Sequence, residues 1–196
     1  MVAESTRERI LEAVVGVLVD QGVDRLRVRA VAQQAGVSVG AVQHAYPTRA
    51  QMVHAAMEHV SARFTAGLLE AIDADSSAEE NLLAACRLLG GVEEVGRPAA
   101  VVWLAFTSLA CTDPVIAAAH RSAWQTLENG LHHLLVQLNP STTADDAATL
   151  LALLDGVAIA RATEPDRMTA ARAEAIITGH VQHLAGHRPC SSERTA

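Results

Sequence analysis

The sequence predicts an all-α protein of about nine helices, and three observations support this fold class. No stretch shows the sustained period-two alternation of a β-strand, whereas apolar residues recur at helical spacing along most of the 196 residues. Capping and breaking residues separate the candidate helices, among them Gly22, Gly36, Pro47, Pro114 and Pro165. Half of the residues are hydrophobic and 19% are charged, which is enough to bury a core and argues against a disordered chain.

Four helices are predicted in the N-terminal third of the chain. Apolar residues line one face of the first, and Gly22 follows it as a helix C-terminus commonly requires. Gly36 ends the second helix, Ser38 caps the third, and Thr48 with Gln51 has capping-box spacing at the start of the fourth. The predicted ranges are about 7–21, 28–35, 39–45 and 48–72.

The polar segment 73–81, DADSSAEEN, separates these helices from five more, and we expect the domain boundary in it or just before it. An N-terminal domain then covers 1–50, with the fourth helix as a connection, and a second domain covers 73–188. Residues 189–196 are expected to form a flexible tail. The later helices are predicted at about 79–93, 98–110, 114–138, 144–163 and 170–185.

Charge is distributed unevenly along the chain. The formal net charge is −7, which taken alone argues against nucleic acid as a partner. Between Arg25 and Met57, however, there are four arginines and no acid, whereas from Glu58 onward there are 17 acids against nine arginines. The first segment is therefore suited to lie beside a polyanion, while the acidic remainder keeps the molecule in solution.

Targeting and redox signals point to the cytoplasm. No apolar run reaches the roughly 18 residues of a membrane span, and the N-terminus lacks the pattern of a signal peptide. The three cysteines, Cys86, Cys111 and Cys190, are odd in number and have no CxxC spacing. We therefore expect reduced thiols in a cytoplasmic protein, with neither a disulfide framework nor a zinc knuckle.

The two short helices on either side of residues 35–38 have the spacing of a helix-turn-helix. Gly36 allows the sharp turn, and Val31, Val37 and Val42 are placed to hold the two helices at a fixed angle. Ordinary helical hairpins share this spacing, so on this pattern alone a DNA-binding motif and a plain structural hairpin both remain open.

The run from Thr6 to about residue 60 resembles the N-terminal domain of TetR-family transcriptional regulators. The resemblance includes TRERIL at the start of the first helix, Gly22 after it, VRAVAQQAGVS through the turn, and Tyr46 followed by Pro-Thr-Arg. It implies a three-helix, helix-turn-helix DNA-binding domain followed by a helical bundle for ligand binding and dimerisation. The segments WLAFTSLACTDPVIAAAHRSAW and LLDGVAIARATEPDRMTAARAEAIITGHVQHL resemble the C-terminal region of the BetI-like subgroup.

This resemblance implies that helix 39–45 is the recognition helix and lies in the major groove. There Gln43 would pair with an adenine edge, and His44 would contact a base or a phosphate. Tyr46 would pack under the helix and offer its hydroxyl to the DNA backbone. The expected DNA contacts are Arg27, Arg29, Ser38, Val39, Gly40, Ala41, Gln43, His44, Tyr46, Thr48 and Arg49.

Four positions depart from the family pattern, one of them Ala45, which stands where His or a larger residue is frequent. Ala41 stands where Thr is frequent, Gln43 where Tyr is frequent, and Arg27 where a Ser or Thr usually caps the second helix. The recognition helix therefore carries fewer polar readers than a typical member. We expect its specificity to depend more on thymine-methyl contacts from Val39 and Ala41, and on DNA shape.

The second domain is expected to bind a small-molecule effector. Its scarce aromatic residues would supply apolar walls, and His120, Cys86, Asp155 or Arg161 would supply polar anchors. The same aromatic residues would serve equally as plain core, and this alternative stays open. The expected effector contacts are Trp103, Phe106, His120, Trp124 and Asp155.

Neither a metal nor a cofactor is expected. His180, His183 and His187 share one face of the last helix, but a zinc site needs a third and usually a fourth ligand. Only Cys190 in the tail is near enough in sequence to be considered. Ordinary solvated or interfacial histidines explain this pattern better.

These observations predict a repressor that binds a palindromic operator as a homodimer and is released by a small-molecule effector. Helices 144–163 and 170–185 are apolar on more than one face, which favours dimerisation through them. A transcriptional activator or a DNA-organising protein with the same N-terminal domain is the alternative. A second alternative is an all-helical enzyme. The sequence contains neither a P-loop nor an HExxH motif, so no enzymatic activity is expected. The sequence names neither the effector nor the operator.

Overall fold

The computed structural model of the chain describes residues 5–92 and 96–186, and all regular structure within these ranges is helical. The predicted all-α class is therefore confirmed, and helices α2, α3, α7 and α8 have the predicted bounds. No helix in these ranges is both long and apolar enough to cross a membrane. The predicted tail, 189–196, lies outside the described residues. The elements are α1 (Thr6–Gln21), a 3₁₀ turn (Val23–Arg25), α2 (Val28–Ala35), α3 (Val39–Ala45), α4 (Arg49–Ala71), α5 (Ala78–Leu89), α6 (Gly96–Ala110), α7 (Pro114–Leu138), α8 (Ala144–Thr163) and α9 (Ala170–Gly186).

Side-chain caps explain why the predicted helix starts agree with the structure. The hydroxyl of Ser38 accepts a hydrogen bond from the Ala41 N–H at 3.1 Å, at the start of α3. Asp113 accepts from the amides of Val115 and Ile116 at 2.9 and 3.1 Å, at the start of α7. Each cap satisfies amides that have no partner within the helix, and each is a local interaction that the sequence spacing reveals.

Helix α5 ends earlier than predicted, at Leu89 instead of near residue 93. Gly91 adopts a left-handed φ of 60°, which glycine accepts without steric cost. The Val92 amide then donates to the Arg87 carbonyl at 3.0 Å, and the Gly91 amide donates to Leu88 at 3.2 Å. This pair of bonds is a Schellman motif, so the apolar run continues past a helix that glycine has already ended.

The chain divides into two compact units whose limits differ from the predicted domain limits. Of the described residues, the first unit contains those up to Leu69 together with 96–123, and the second contains 70–92 together with 124–186. Helix α6 and the first part of α7 thus belong to the same unit as α1, α2 and α3. The division into a functional DNA-binding domain at 1–50 and an effector domain from residue 73 stays a prediction.

The first unit has one continuous apolar core. Residues from α1, α2, α3 and α4 pack in it together with Val102 and Phe106 of α6 and Ile116 of α7. Helix α1 contacts both α2 and α6. Because the residues of a close-packed core hold one another in place, the packing of α6 against α1 supports the helices that carry the turn.

The second unit packs α5 against α8 and α9. Gly90 at the end of α5 lies so close to α9 that an added Cβ would be 2.7 Å from Ile177 Cδ1. Arg87 of α5 donates to Glu174 of α9, with its Nε 2.9 Å from Oε1 and its Nη2 2.6 Å from the same oxygen. Hydrogen bonding to Arg87 lowers the pKa of Glu174 below its usual value, so this pair is charged at neutral pH.

Candidate nucleic-acid interface

The turn between α2 and α3 is built on a glycine in the left-handed region. Gly36 has φ 62° and ψ 38°, where a side chain would be strained. The Val37 amide donates to the Ala32 carbonyl at 3.0 Å, and the Gly36 amide donates to Gln33 at 3.3 Å. This second Schellman motif ends α2 and directs the chain into α3 within three residues, as the sequence spacing predicts.

Arg9 of α1 holds this turn, and the sequence did not indicate that role. Its Nη2 donates to the carbonyl oxygens of Ala35 at 2.6 Å and Gly36 at 3.2 Å. These carbonyls belong to the end of α2, where backbone acceptors lack partners within the helix. The contact joins residues 26 positions apart, so no local pattern revealed it.

Helix α3 has one buried and one exposed side. Val42 is fully buried in the core, whereas Gln43 and His44 are exposed. One turn earlier, Val39 and Gly40 are exposed as well, so positions 39, 40, 43 and 44 form one continuous face. The structure therefore brings three of the predicted base-reading residues, Val39, Gln43 and His44, together on the solvent side of the helix, whereas Ala41, the fourth, is half-buried.

Tyr46 at the end of α3 is placed differently from the expectation that its hydroxyl meets the DNA backbone. The residue is only 4% exposed, and its hydroxyl oxygen is shielded from solvent without a hydrogen-bond partner among the described residues. The guanidinium carbon of Arg7 lies over its ring, 5.3 Å from the centroid. The predicted packing under the helix is observed, but in this conformation the hydroxyl cannot reach a phosphate.

Exposed groups also lie on α2 and at the start of α4, the helices on either side of α3 in the chain. Arg27, Arg29 and Arg49 are exposed, and Arg27 occupies the N-cap position of α2 without a capping hydrogen bond from its side chain. Thr48 is exposed, but its hydroxyl also takes part in the capping box of α4. It donates to Gln51 Oε1 at 3.1 Å and accepts from the Gln51 amide at 3.2 Å. Three exposed cations and one hydroxyl engaged in a helix cap thus lie on the two helices that flank α3 in the chain.

Residues 36–40, GVSVG, also match the GxSxG spacing of a hydrolase nucleophile. That motif places its serine on a turn from a strand into a helix, whereas Ser38 lies between two helices. Its hydroxyl caps α3. Ser38 therefore has the geometry of a helix cap, and the GxSxG match arises from the glycine turn between α2 and α3.

The predicted effector residues fall into both units, and three of them form one aromatic cluster. Trp103 stacks on His120 with centroids 4.8 Å apart, and Phe106 lies 6.1 Å from Trp103 and 5.7 Å from His120. Phe106 is 2% exposed and thus a core residue, whereas Trp103 is half-buried. Burial lowers the pKa of His120 below its usual value, so the ring is neutral at pH 7 and leaves the cluster uncharged.

The remaining predicted effector residues lie in the second unit. Trp124 packs against its core, and Asp155 of α8 is half-buried. Two of the suggested polar anchors are otherwise engaged. Arg161 donates to the carbonyls of Gly91, Val92 and Met168 at 2.8 to 3.1 Å. Cys86 is fully buried, and burial raises its pKa to about 12, which leaves an inert thiol in the core.

Metal binding finds no support in the part of the chain that the structure describes. No group of three or more His, Cys, Asp or Glu side chains there is arranged to hold a metal ion. His180 and His183 lie on α9, while His187 and Cys190 lie outside the described residues.

A glycine turn, an exposed face on the following helix and surrounding arginines define a DNA-binding protein of the helix-turn-helix class. Residues 10–56 match the model for bacterial regulatory proteins of the tetR family. Residues 78–186 match the model for the C-terminal domain of BetI-type transcriptional repressors. The chain belongs to the TetR family of transcriptional regulators.

Named relatives and solved structures agree with this assignment. The chain is 27% identical to the HTH-type transcriptional regulator PksA of Bacillus subtilis, over 92% of this chain and 90% of PksA. It is 25% identical to the HTH-type transcriptional regulator BetI 2 of Chromohalobacter salexigens, over 94% and 90% of the two chains. A transcriptional regulator of Rhodococcus sp. matches with a TM-score of 0.84 and 29% identity, over 92% of this chain and 96% of that one.

One structural neighbour contains a small molecule. A transcriptional regulator of Saccharomonospora viridis, solved in complex with choline, has a TM-score of 0.77 and 21% identity, covering 90% of this chain and 95% of that one. At this identity the likeness concerns the fold.

Proposed function

We propose that this regulator is a cytoplasmic repressor that binds a palindromic operator as a homodimer and leaves it when a small-molecule effector binds. The observation that carries the proposal is the exposed face of α3, which presents Gln43 and His44 beside a segment that holds four arginines and no acid. A side-chain amide pairs bidentately with adenine in the major groove, and exposed guanidinium groups suit phosphates.

The contacts divide into two kinds. Gln43 and His44 are proposed to read base edges, with Val39 and Ala41 against thymine methyl groups. Ser38 and Gly40 let the backbone at the start of α3 approach the groove closely. Arg27, Arg29, Thr48 and Arg49 are proposed to contact phosphates, which fixes the register of α3 without reading sequence.

Dimerisation is proposed through α8 and α9, which carry small exposed residues one turn apart. On α8 these are Ala152 and Gly156, and on α9 they are Ala175 and Gly179. An added Cβ at either glycine would meet nothing within 4 Å, so another helix has room to approach closely. A two-fold pairing of these helices would present two copies of α3 to successive major grooves.

The effector is proposed to contact the aromatic cluster through Trp103 and His120, with Phe106 as the buried base of the cluster. Trp103 offers a half-buried aromatic face, and the neutral imidazole of His120 adds a polar atom that lies 3.2 Å from the Thr107 hydroxyl. A bound effector would favour a conformer, reached by movement of α4, in which the two copies of α3 no longer match the half-site spacing. Trp124 and Asp155 are kept as second candidates in the other unit. An activator acting through the same surfaces would differ only in the position of its site relative to the promoter.

Replacing Arg49 by Ala tests phosphate contact at the proposed interface. We expect the slope of log affinity against log salt to flatten by about one for each bound protomer, and equally for all DNA sequences. Fluorescence anisotropy with duplexes of about 30 base pairs, enough for two half-sites one helical turn apart, measures this. The matched control is Arg63→Gln, an exposed arginine about 21 Å further along α4. An unchanged slope for Arg49→Ala, or an equal change for Arg63→Gln, would argue against the interface.

Replacing Trp103 by Ala tests the effector cluster. The variant is expected to need at least about tenfold more effector for release from DNA, because it loses a large aromatic contact surface. Choline is the first probe, since cations bind to aromatic faces. The next probes are small molecules that are made or consumed by the products of genes beside the bound site. If Trp103→Ala keeps the full effector response of the parent, the cluster is part of the hydrophobic core and does not bind the effector.

A further inference from the structure

We propose that Arg7, at the start of α1, is a further phosphate-binding residue of the DNA interface and that the ring of Tyr46 holds it in position. This inference rests on the proposed function and extends the interface to an element outside the helix-turn-helix. It combines two observations, the location of the Arg7 guanidinium over the Tyr46 ring and the absence of an acidic partner for it among the described residues.

The position of Tyr46 places Arg7 at the DNA-facing end of the unit. Tyr46 is the C-cap residue of α3, and its amide donates to the Val42 carbonyl at 2.8 Å. Its backbone is therefore fixed relative to the reading face, and Arg49 follows only three residues later. Whatever lies over its ring is held at the end of the recognition helix. Arg7 thus adds a cation between the end of α3 and the start of α4, where phosphate contacts are predicted.

The contact with the Tyr46 ring leaves the charge of Arg7 free to interact with a phosphate. Among the residues that the structure describes, its guanidinium forms no ion pair and no hydrogen bond, although the side chain is exposed. Contact with an aromatic ring uses the face of a guanidinium, so the N–H donors around its edge remain free to bind an oxyanion. An acidic partner, as in the pair formed by Arg87 and Glu174, would instead occupy those donors and cancel the charge.

Arg9, on the same helix, has a structural role and serves as a comparison. Arg9 has two backbone carbonyls as partners and holds the turn after α2. Arg7 lies two positions earlier, and the contact of its guanidinium among the described residues is with the ring of Tyr46. The ring restricts the side chain before DNA arrives, which reduces the entropy lost on binding. Arg7 is thus preorganised to donate to a phosphate oxygen, whereas Arg9 positions the recognition helix from inside the protein.

Salt titrations of Arg7 variants test the inference. Arg7→Gln is expected to flatten the log–log salt dependence by about one per bound protomer and to weaken binding about fivefold per protomer near physiological salt. Arg7→Lys keeps the charge and is expected to keep most of the slope. The probe is the same duplex of about 30 base pairs, with Arg63→Gln as the control, and thermal unfolding monitors the fold of each variant.

A double-mutant cycle separates the positioning role of Tyr46 from plain packing. Arg7→Gln should weaken binding as much in a Tyr46→Phe background, which keeps the ring, as in the parent. In a Tyr46→Leu background the same substitution should cost clearly less. A Tyr46→Leu chain that unfolds leaves the Arg7→Gln titration as the deciding measurement. If Arg7→Gln lowers the melting temperature but leaves the salt slope at the parent value, the cation–π pair is structural and the inference is wrong.

The outcomes also distinguish this inference from the proposed function. If the parent shows no salt-dependent binding to duplex DNA, the proposed function itself fails. If the parent binds and Arg49→Ala flattens the slope while Arg7→Gln does not, only the role of Arg7 is overturned.

Discussion

Replacing Phe106 by Ala is expected to lower the free energy of unfolding by about 3–5 kcal/mol, the usual cost of removing a buried aromatic side chain. Phe106 is 2% exposed and lies in the core that α1, α2, α3 and α4 share with α6. The neighbours that would line the new cavity include rings on α4, α6 and α7. A typical domain has only about 5–15 kcal/mol of stability, so the variant should be marginal at 37 °C.

Chemical denaturation followed by circular dichroism measures this loss. Leu104 lies on the same helix but is 41% exposed, so Leu104→Ala is the matched control and should change stability by no more than about 0.5 kcal/mol. The folded fraction of Phe106→Ala should still bind DNA at low temperature, because the exposed face of α3 is intact. Equal losses in both variants would mean that Phe106 is not part of the core that supports the DNA-binding helices.

Replacing Gln43 by Ala is expected to weaken binding to the selected operator by about 1–3 kcal/mol and to relax base preference at one position of each half-site. The reason is that Gln43 is an exposed side chain on α3 able to form two hydrogen bonds with one base. Non-specific affinity and the salt slope should not change, since the substitution removes no charge.

Competition binding with a set of single-base operator variants measures this effect. Gln21→Ala, at an exposed position at the end of α1, is the control that leaves the base preference unchanged. If Gln43→Ala keeps the full preference at every position, α3 reads DNA through other residues or through DNA shape, and the assignment of Gln43 is wrong.

The sequence predicted best what local interactions decide. Ser38 and Asp113 cap α3 and α7 through hydrogen bonds that span two or three residues, so their spacing was sufficient. The candidate reading positions on α3 came from the family resemblance, and the exposed face that carries Gln43 and His44 agrees with helical periodicity. The predicted end of α5 was wrong, because Val92 extends the apolar pattern past Gly90 and Gly91 and conceals the point where the backbone turns left-handed.

Interactions between distant segments could not be predicted in the same way. Arg9 meets the carbonyls of Ala35 and Gly36, and Arg7 meets the ring of Tyr46, across intervals for which no spacing rule exists. The grouping of α6 with the N-terminal helices is also a consequence of packing. Sequence alone could not decide whether Phe106 is core or a ligand contact, and its burial supports the core.

The central claim is that α3 reads a defined DNA site, and sequencing the fragments that the protein selects from its own genome tests it most directly. We expect enrichment of a palindromic site with half-sites about one helical turn, or a multiple of it, apart. For Gln43→Ala we expect enriched sites with one degenerate position in each half-site. No enrichment above non-specific binding, or one motif shared unchanged by the parent and Gln43→Ala, would contradict the account.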